Sequence, residues 1–277
     1  LKKEKQKMGN RRLGRKRLEA VLKNLNATKA DSTGSRSGLT GFEMPAFELQ
    51  PSKYTGLFDD FHAISGGTGT DVDGDMASTH GGQVWLADVG GTNDTITLVK
   101  EETGGVVEIH TGDTDNDTTT LTAPNSTFAL DAASARKVWW ECRIKANDIT
   151  DLAIFVGLAS NDGGIVTDAA GDDWTDSVGF YISEGGTSAD IQLLTSVGDT
   201  ETSTSLSTDL GNAYVTLSYY FDGSKVHAYV NGDLKASTAS NLPNDGTILF
   251  PTISASTRDN GGGDNLFCDY VRVCMER

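Results

Sequence analysis

Residues Ala213–Ser237, AYVTLSYYFDGSKVHAYVNGDLKAS, decide how the chain is read. Two short runs near 213–222 and 225–230 are joined through Asp222-Gly223-Ser224, and a second turn follows at Asn231-Gly232-Asp233. Both turns suit the positive φ of tight hairpin loops, so three antiparallel strands meander here. Upstream, VWWECRIK alternates: Val138, Trp140, Cys142 and Ile144 make an apolar face, while Trp139, Glu141, Arg143 and Lys145 face the other way. One face meets a core and the other meets water. The run Leu152 to Leu158 is almost continuously apolar, as a central strand covered on both faces must be.

The same pattern extends over most of the chain. Short runs rich in Val, Ile, Thr and aromatics alternate with clusters of Gly, Asp, Asn and Ser. Candidate strands lie near 83–89, 94–100, 105–111, 117–122, 137–147, 152–159, 178–183, 190–197, 202–208, 213–222, 225–230, 247–256 and 265–275. About a dozen strands in one body fit an all-β, antiparallel two-sheet jelly roll better than two immunoglobulin-like domains. No fixed-period repeat is present, which disfavours a propeller or solenoid.

The net charge of -16 divides unevenly. The first 36 residues hold twelve Lys or Arg against Glu4, Glu19 and Asp31, a balance of +9; the remaining residues hold eleven basic and thirty-six acidic residues, a balance of -25. Within this basic arm, Leu18, Val21, Leu22 and Leu25 form one apolar stripe opposite Arg11, Arg12, Arg15, Lys16 and Arg17. A short amphipathic helix is expected there, stable when docked. Residues 27–41 read as a linker, so 1–41 forms the arm. The stretch FEMPAFELQPSKY opens an extended strap over 42–57, and the jelly roll occupies 58–277. The 277 residues contain no apolar run long enough for a spanning helix and no secretory signal, so no membrane is expected. Cys142, Cys268 and Cys274 lack metal-ligand spacing, and their odd number favours a reducing, intracellular place of synthesis.

Two resemblances follow from these residues. The hairpins of 213–237 and the C-terminal LFCDYVRVCMER resemble the corresponding strands of laminin-G-like and concanavalin-like jelly rolls. The arm MGNRRLGRKRLEAVLKNLN, from Met8, resembles the N-termini of tailed-bacteriophage structural proteins, and an arm joined to a lectin-like jelly roll is similar to capsid cement or decoration proteins. The resemblance implies a virion protein on the outer capsid surface. Its partner is the major capsid protein, contacted by Arg11, Arg12, Arg15, Lys16, Arg17, Leu18, Val21, Leu22 and Leu25, and the chain is expected to form dimers or trimers.

Concanavalin-like glycoside hydrolases resemble one another in a strand of alternating carboxylates, Glu-x-Asp-x-x-Glu. No such strand is present, and His62, His80, His110 and His227 follow no known catalytic order, so no enzyme and no cofactor are expected. Asp71-Val72-Asp73-Gly74-Asp75 and Asp113-Thr114-Asp115-Asn116-Asp117 have hard-ligand spacing but lack the Gly and Glu of a calcium loop, and are read as solvated turns. Trp140 and Tyr220 are expected in the core. Trp174 is the one ring put forward for stacking on a sugar. The arm has no aromatic residue for base stacking, and the acidic body repels DNA, so nucleic acid is not the expected partner. The leading expectation is therefore a non-enzymatic capsid cement protein. Its rivals are a glycan-binding module of a phage tail or receptor-binding protein, and an internal head protein touching DNA.

Overall fold

The computed structural model describes residues 52–61, 64–65, 74–78, 84–90, 94–99, 105–160, 175–183, 190–258 and 264–277. The first strands are β1 (Tyr54–Asp59), β2 (Ile64–Ser65), β3 (Gly74–Ser78), β4 (Val84–Val89), β5 (Thr95–Leu98), β6 (Val107–His110), β7 (Thr118–Thr122) and β8 (Val138–Ala146). They are followed by β9 (Leu152–Ala159), β10 (Asp176–Ile182), β11 (Asp190–Val197), β12 (Thr200–Asp209) and β13 (Val215–Phe221). The last are β14 (Val226–Val230), β15 (Asp233–Thr238), β16 (Phe250–Thr257) and β17 (Asn265–Glu276). No helix occurs among the described residues, and the fold is an antiparallel two-sheet jelly-roll sandwich.

The first sheet runs β15-β14-β13-β8-β17-β6-β5, with β1 also paired to β17; the second runs β12-β11-β10-β9-β16-β7-β4-β3-β2. The predicted meander is β13-β14-β15, and its turns place Gly223, Asn231 and Gly232 at φ 96°, 50° and 81°. The expected strap ends earlier than 57, because Tyr54 to Leu57 already belong to β1, antiparallel to β17.

The core lies between the sheets. Alternation on β8 sends Val138, Trp140, Cys142, Ile144 and Ala146 inward, all essentially without solvent exposure. Trp140 stacks on Tyr219 of β13 with centroids 5.4 Å apart and planes 7° apart, and Phe180 of β10 closes on both from the opposite sheet. A polar clamp joins the sheets beside this cluster. The buried Asp59 of β1 accepts a hydrogen bond from the Trp85 indole of β4 at 2.8 Å and another from the Phe61 amide at 2.8 Å. A buried carboxylate is tolerated here because both oxygens are bonded.

Strand β9 is central in its sheet and buried on both faces, as its apolar run requires. On the face turned away from the core, Gly157 of β9 lies opposite Gly179 of β10, and the Phe155 ring covers the pair. A Cβ on Gly179 would stand 2.8 Å from the Gly157 Cα and 2.9 Å from the Phe155 ring, as well as against the Val156 carbonyl. Backbone cannot give way there as a flexible side chain could. Gly179→Ala is therefore expected to lower stability by about 1–3 kcal/mol. The measurement is the urea midpoint, and an unchanged midpoint would show that the Phe155 ring and β9 relax without cost.

Candidate functional site

The outward face of the first sheet is built by the residues that alternate with the core. Along β8 these are Trp139, Glu141, Arg143 and Lys145, each partly buried. The register of the neighbouring strands groups them into rows across the sheet. Cys274, Trp139, Tyr220, His227 and Ser237 form one row; Phe58, Arg272, Glu141, Ser218, Tyr229 and Leu234 form the next. A third holds Tyr270, Arg143 and Thr216, and the last places Phe267 opposite Lys145. Rows lie two residues apart, about 7 Å, so the four rows extend roughly 20 Å along β8.

The first row is an aromatic ladder. Trp139 stacks on Tyr220 with centroids 5.2 Å apart and planes at 28°, Tyr220 stacks on His227 at 6.1 Å, and Tyr54 meets Trp139 edge-on at 6.0 Å. His227 is held at both ring nitrogens, Nδ1 lying 2.8 Å from the Ser237 hydroxyl and Nε2 3.0 Å from Asp222 Oδ2. The same Asp222 caps the β13–β14 turn, its Oδ1 accepting from the amides of Ser224 and Lys225 at 2.8 Å each. Partial burial opposes ionisation of Asp222, but the hydrogen bonds from His227, Lys225 and Ser224 hold its carboxyl well below the usual range.

The second row mixes charge with apolar surface. Glu141 accepts a hydrogen bond from the Tyr270 hydroxyl at 2.9 Å. Burial pushes the Glu141 carboxyl up, opposed by that hydrogen bond and by the Arg272 guanidinium. At the row's ends, Phe58 and Leu234 are 49% and 57% exposed, and with Ile248 they are the exposed large apolar side chains among the described residues. Two of the three thus stand on this one face. Farther along, Arg143 pairs with Asp269. Its guanidinium lies 4.2 Å from the centre of the Tyr214 ring, and the Lys145 ammonium lies 4.4 Å from that ring and 4.9 Å from Phe267. The face therefore offers flat rings, fixed hydrogen-bonding groups and cations together.

The arm residues expected at an interface, Arg11 to Leu25, and the candidate ring Trp174 lie outside the described residues. So do His62, His80 and the aspartates 71 and 73. Trp140 is in the core as expected. Tyr220 is not, because its odd partner Tyr219 takes the inward position and the pleat turns Tyr220 outward onto Trp139. Asp113, Asp115 and Asn116 form an exposed turn, and among the described residues no three His, Cys, Asp or Glu side chains converge as a metal site. Trp139 was legible only as a solvent-facing residue; its partner on another strand was not.

No protein-family model and no curated protein matches this chain. Solved structures do. A β-1,3-glucanase from Mycobacterium marinum is 12% identical over 78% of this chain and 97% of its own, with a TM-score of 0.53. A Bacteroides ovatus mixed-linkage glucan GH16 protein, in complex with a product, is 11% identical over 78% and 99%, also at 0.53. Peanut lectin is 13% identical over 80% and 97%, at 0.51. At such identities the likeness establishes the concanavalin-like jelly-roll fold. It also corrects one expectation. The reading of the chain as no enzyme fails, because glycoside hydrolases share this architecture and the lack of one carboxylate motif does not exclude catalysis.

The Glu141 carboxyl provides a test of the geometry. Its folded value is raised, so the stability it contributes is full at acid pH and is lost as pH rises through that value. Tyr270→Phe removes a hydrogen bond that favours the ionised form. Carbon-13 NMR titration is expected to place Glu141 higher still in Y270F, with a larger loss of stability between acid and neutral pH. A fall or no change in the Glu141 titration would refute the contact.

Proposed function

We propose that this chain is a carbohydrate-binding jelly-roll module, placed in a phage tail or receptor-binding protein, which lays a glycan along the outward face of the first sheet. The observation that carries the reading is the Trp139–Tyr220 stack, braced by Tyr54 and His227 and bordered by Glu141 and Arg272. Pyranose rings have apolar faces and polar edges, which suit a half-exposed aromatic ladder flanked by hydrogen-bonding side chains. The sheet fixes the rings before a ligand arrives, so little side-chain entropy is lost on binding. The fold, shared with a lectin and with glucan-acting proteins, is compatible with this use.

A glycan array followed by calorimetry on the best ligands tests the proposal. Trp139→Ala removes the centre of the ladder without touching the core, and is expected to weaken binding about tenfold or more, corresponding to the ~1.5 kcal/mol upper range of an aromatic pair. Saturable binding that W139A and Y220A leave intact would move the site elsewhere. Release of reducing ends from a bound polymer would add hydrolysis to the reading.

A second reading, capsid cement, is supported by one feature of the sequence: a +9 arm on a -25 body, which suits docking of the arm on an acidic protein surface. Here deletion of residues 1–41 is expected to strip the protein from phage heads and lower their thermal stability. Full occupancy by the deleted protein would remove the arm as an anchor, and salt-sensitive DNA binding by the arm without capsid affinity would favour an internal head protein.

A further inference from the structure

The second sheet ends in an edge strand that the described residues leave partly open. Among those residues the sheet edges are β1, β2, β5, β12 and β15, and β12, with ten residues, is the longest. β2 and β5 have two and four residues, β15 is bulged against β14 and carries Asp233 and Lys235, and the Tyr54 carbonyl of β1 is taken by Arg277. Shortness, bulges and charges are what keep a sheet edge from pairing with another chain. β12 instead runs through the uncharged residues Thr202 to Thr208, in a body whose balance is -25.

The register tells which groups of β12 are open. Val197 and Thr200 close a two-residue turn in which Gly198 and Asp199 take φ 52° and 62°, so they form a hydrogen-bonded pair, and the backbone of Thr202 and Thr204 likewise faces β11. The alternate residues Glu201, Ser203 and Ser205 turn their N–H and C=O groups away from the sheet. The Glu201 carbonyl accepts from the Asn241 side-chain amide at 3.0 Å. Beyond Ser205 the register with β11 shifts at a bulge, with Ser207 at φ 52°, and the straight edge ends. Between that clamp and that bulge, the backbone groups of Ser203 and Ser205 meet no partner among the described residues, and both residues are exposed.

We infer that β12 is a self-pairing edge, at which two copies of the chain join antiparallel about a two-fold axis at Thr204. That axis sets Ser203 of each copy opposite Ser205 of the other, and each pair exchanges both of its N–H···O bonds, so no open backbone group is left over. The same operation lays the Asn241 clamp of one copy beside the Ser207 bulge of the other, which stops the ladder at both ends. A second copy fits because the open groups are symmetric about one residue, and because Glu201 then falls opposite Ser207 rather than another carboxylate. A ladder this short makes a weak, concentration-dependent dimer. It lies on the second sheet and leaves the outward face of the first available in both copies, whatever that face binds.

Sedimentation equilibrium of the full chain, from micromolar to near-millimolar concentration, tests the pairing. A reversible dimer is expected, and because two acidic bodies repel, it is expected to tighten about tenfold from low to high salt. Ser203→Pro removes an outward N–H without touching the bonds to β11, and is expected to weaken the dimer about tenfold or more while the circular dichroism spectrum stays unchanged. S203K/S205K sets like charges opposite each other in both pairs and is expected to abolish dimers; mixing it with S203E/S205E is expected to restore a mixed dimer. A protein that stays monomeric at every concentration and salt, a trimer, or a dimer that high salt dissociates would overturn the inference. So would a dimer left intact by both S203P and S203K/S205K, or opposite charges that do not rescue pairing.

Discussion

The pleat of β8 fixes both the interior and the exterior of this protein. Its inward residues Val138, Trp140, Cys142, Ile144 and Ala146 are buried, and its outward ones are Trp139, Glu141, Arg143 and Lys145. A slip of one residue would exchange the two sets. Exposing the large inward side chains alone costs about 1.5–3 kcal/mol each, and the total approaches the whole stability of a domain. The register is held from both faces at once, by Trp140 on Tyr219 inside and by Trp139 on Tyr220 outside. Those two contacts depend on the same rungs between β8 and β13, so the packing that stabilises the core also orders the ladder.

The two sheets differ in how they use their outer faces. On the second sheet, Ala153, Phe155, Ala159 and Leu194 form a small buried apolar cluster away from the main core, with Phe155 laid over glycines. On the first, aromatic rings remain partly exposed and interleave with charges that are already paired or held against rings. Paired surface charges contribute little to stability, about 0–1 kcal/mol. The half-exposed aromatics of the first row add cross-strand pairs, each worth about 0.2–1 kcal/mol to the sheet.

Much of this architecture was legible in the sequence because strand periodicity is local. The alternation of β8, the double burial of β9 and the two glycine turns of β13 to β15 needed no tertiary information. Three strands escaped, and each for a reason. β2 is two residues long, and β3 carries Gly74 and Asp75. β1 turns an acid, Asp59, toward the core where periodicity calls for an apolar residue. The candidate site was less visible. A face is made of residues from strands far apart in sequence, and only pairing tells which of two adjacent tyrosines, Tyr219 or Tyr220, turns inward. The correction on catalysis has a related origin: a motif search tests one arrangement of carboxylates, whereas a fold permits many.

The pairing of β1 with β17 has a mechanical side. Tyr54 lies opposite Glu276, the Arg277 amide donates to the Lys53 carbonyl at 2.9 Å, and the Arg277 Nε reaches the Tyr54 carbonyl at 3.2 Å. Lys53 and Arg277 therefore leave the sheet side by side. Tension pulling these two points apart acts on the last rung first and unzips the pair one rung at a time, the least resistant direction for antiparallel strands. Tension directed along β1 from Lys53 is instead shared by its six paired residues. This edge pairing therefore resists sliding of β1 along β17 far better than it resists the parting of Lys53 from Arg277.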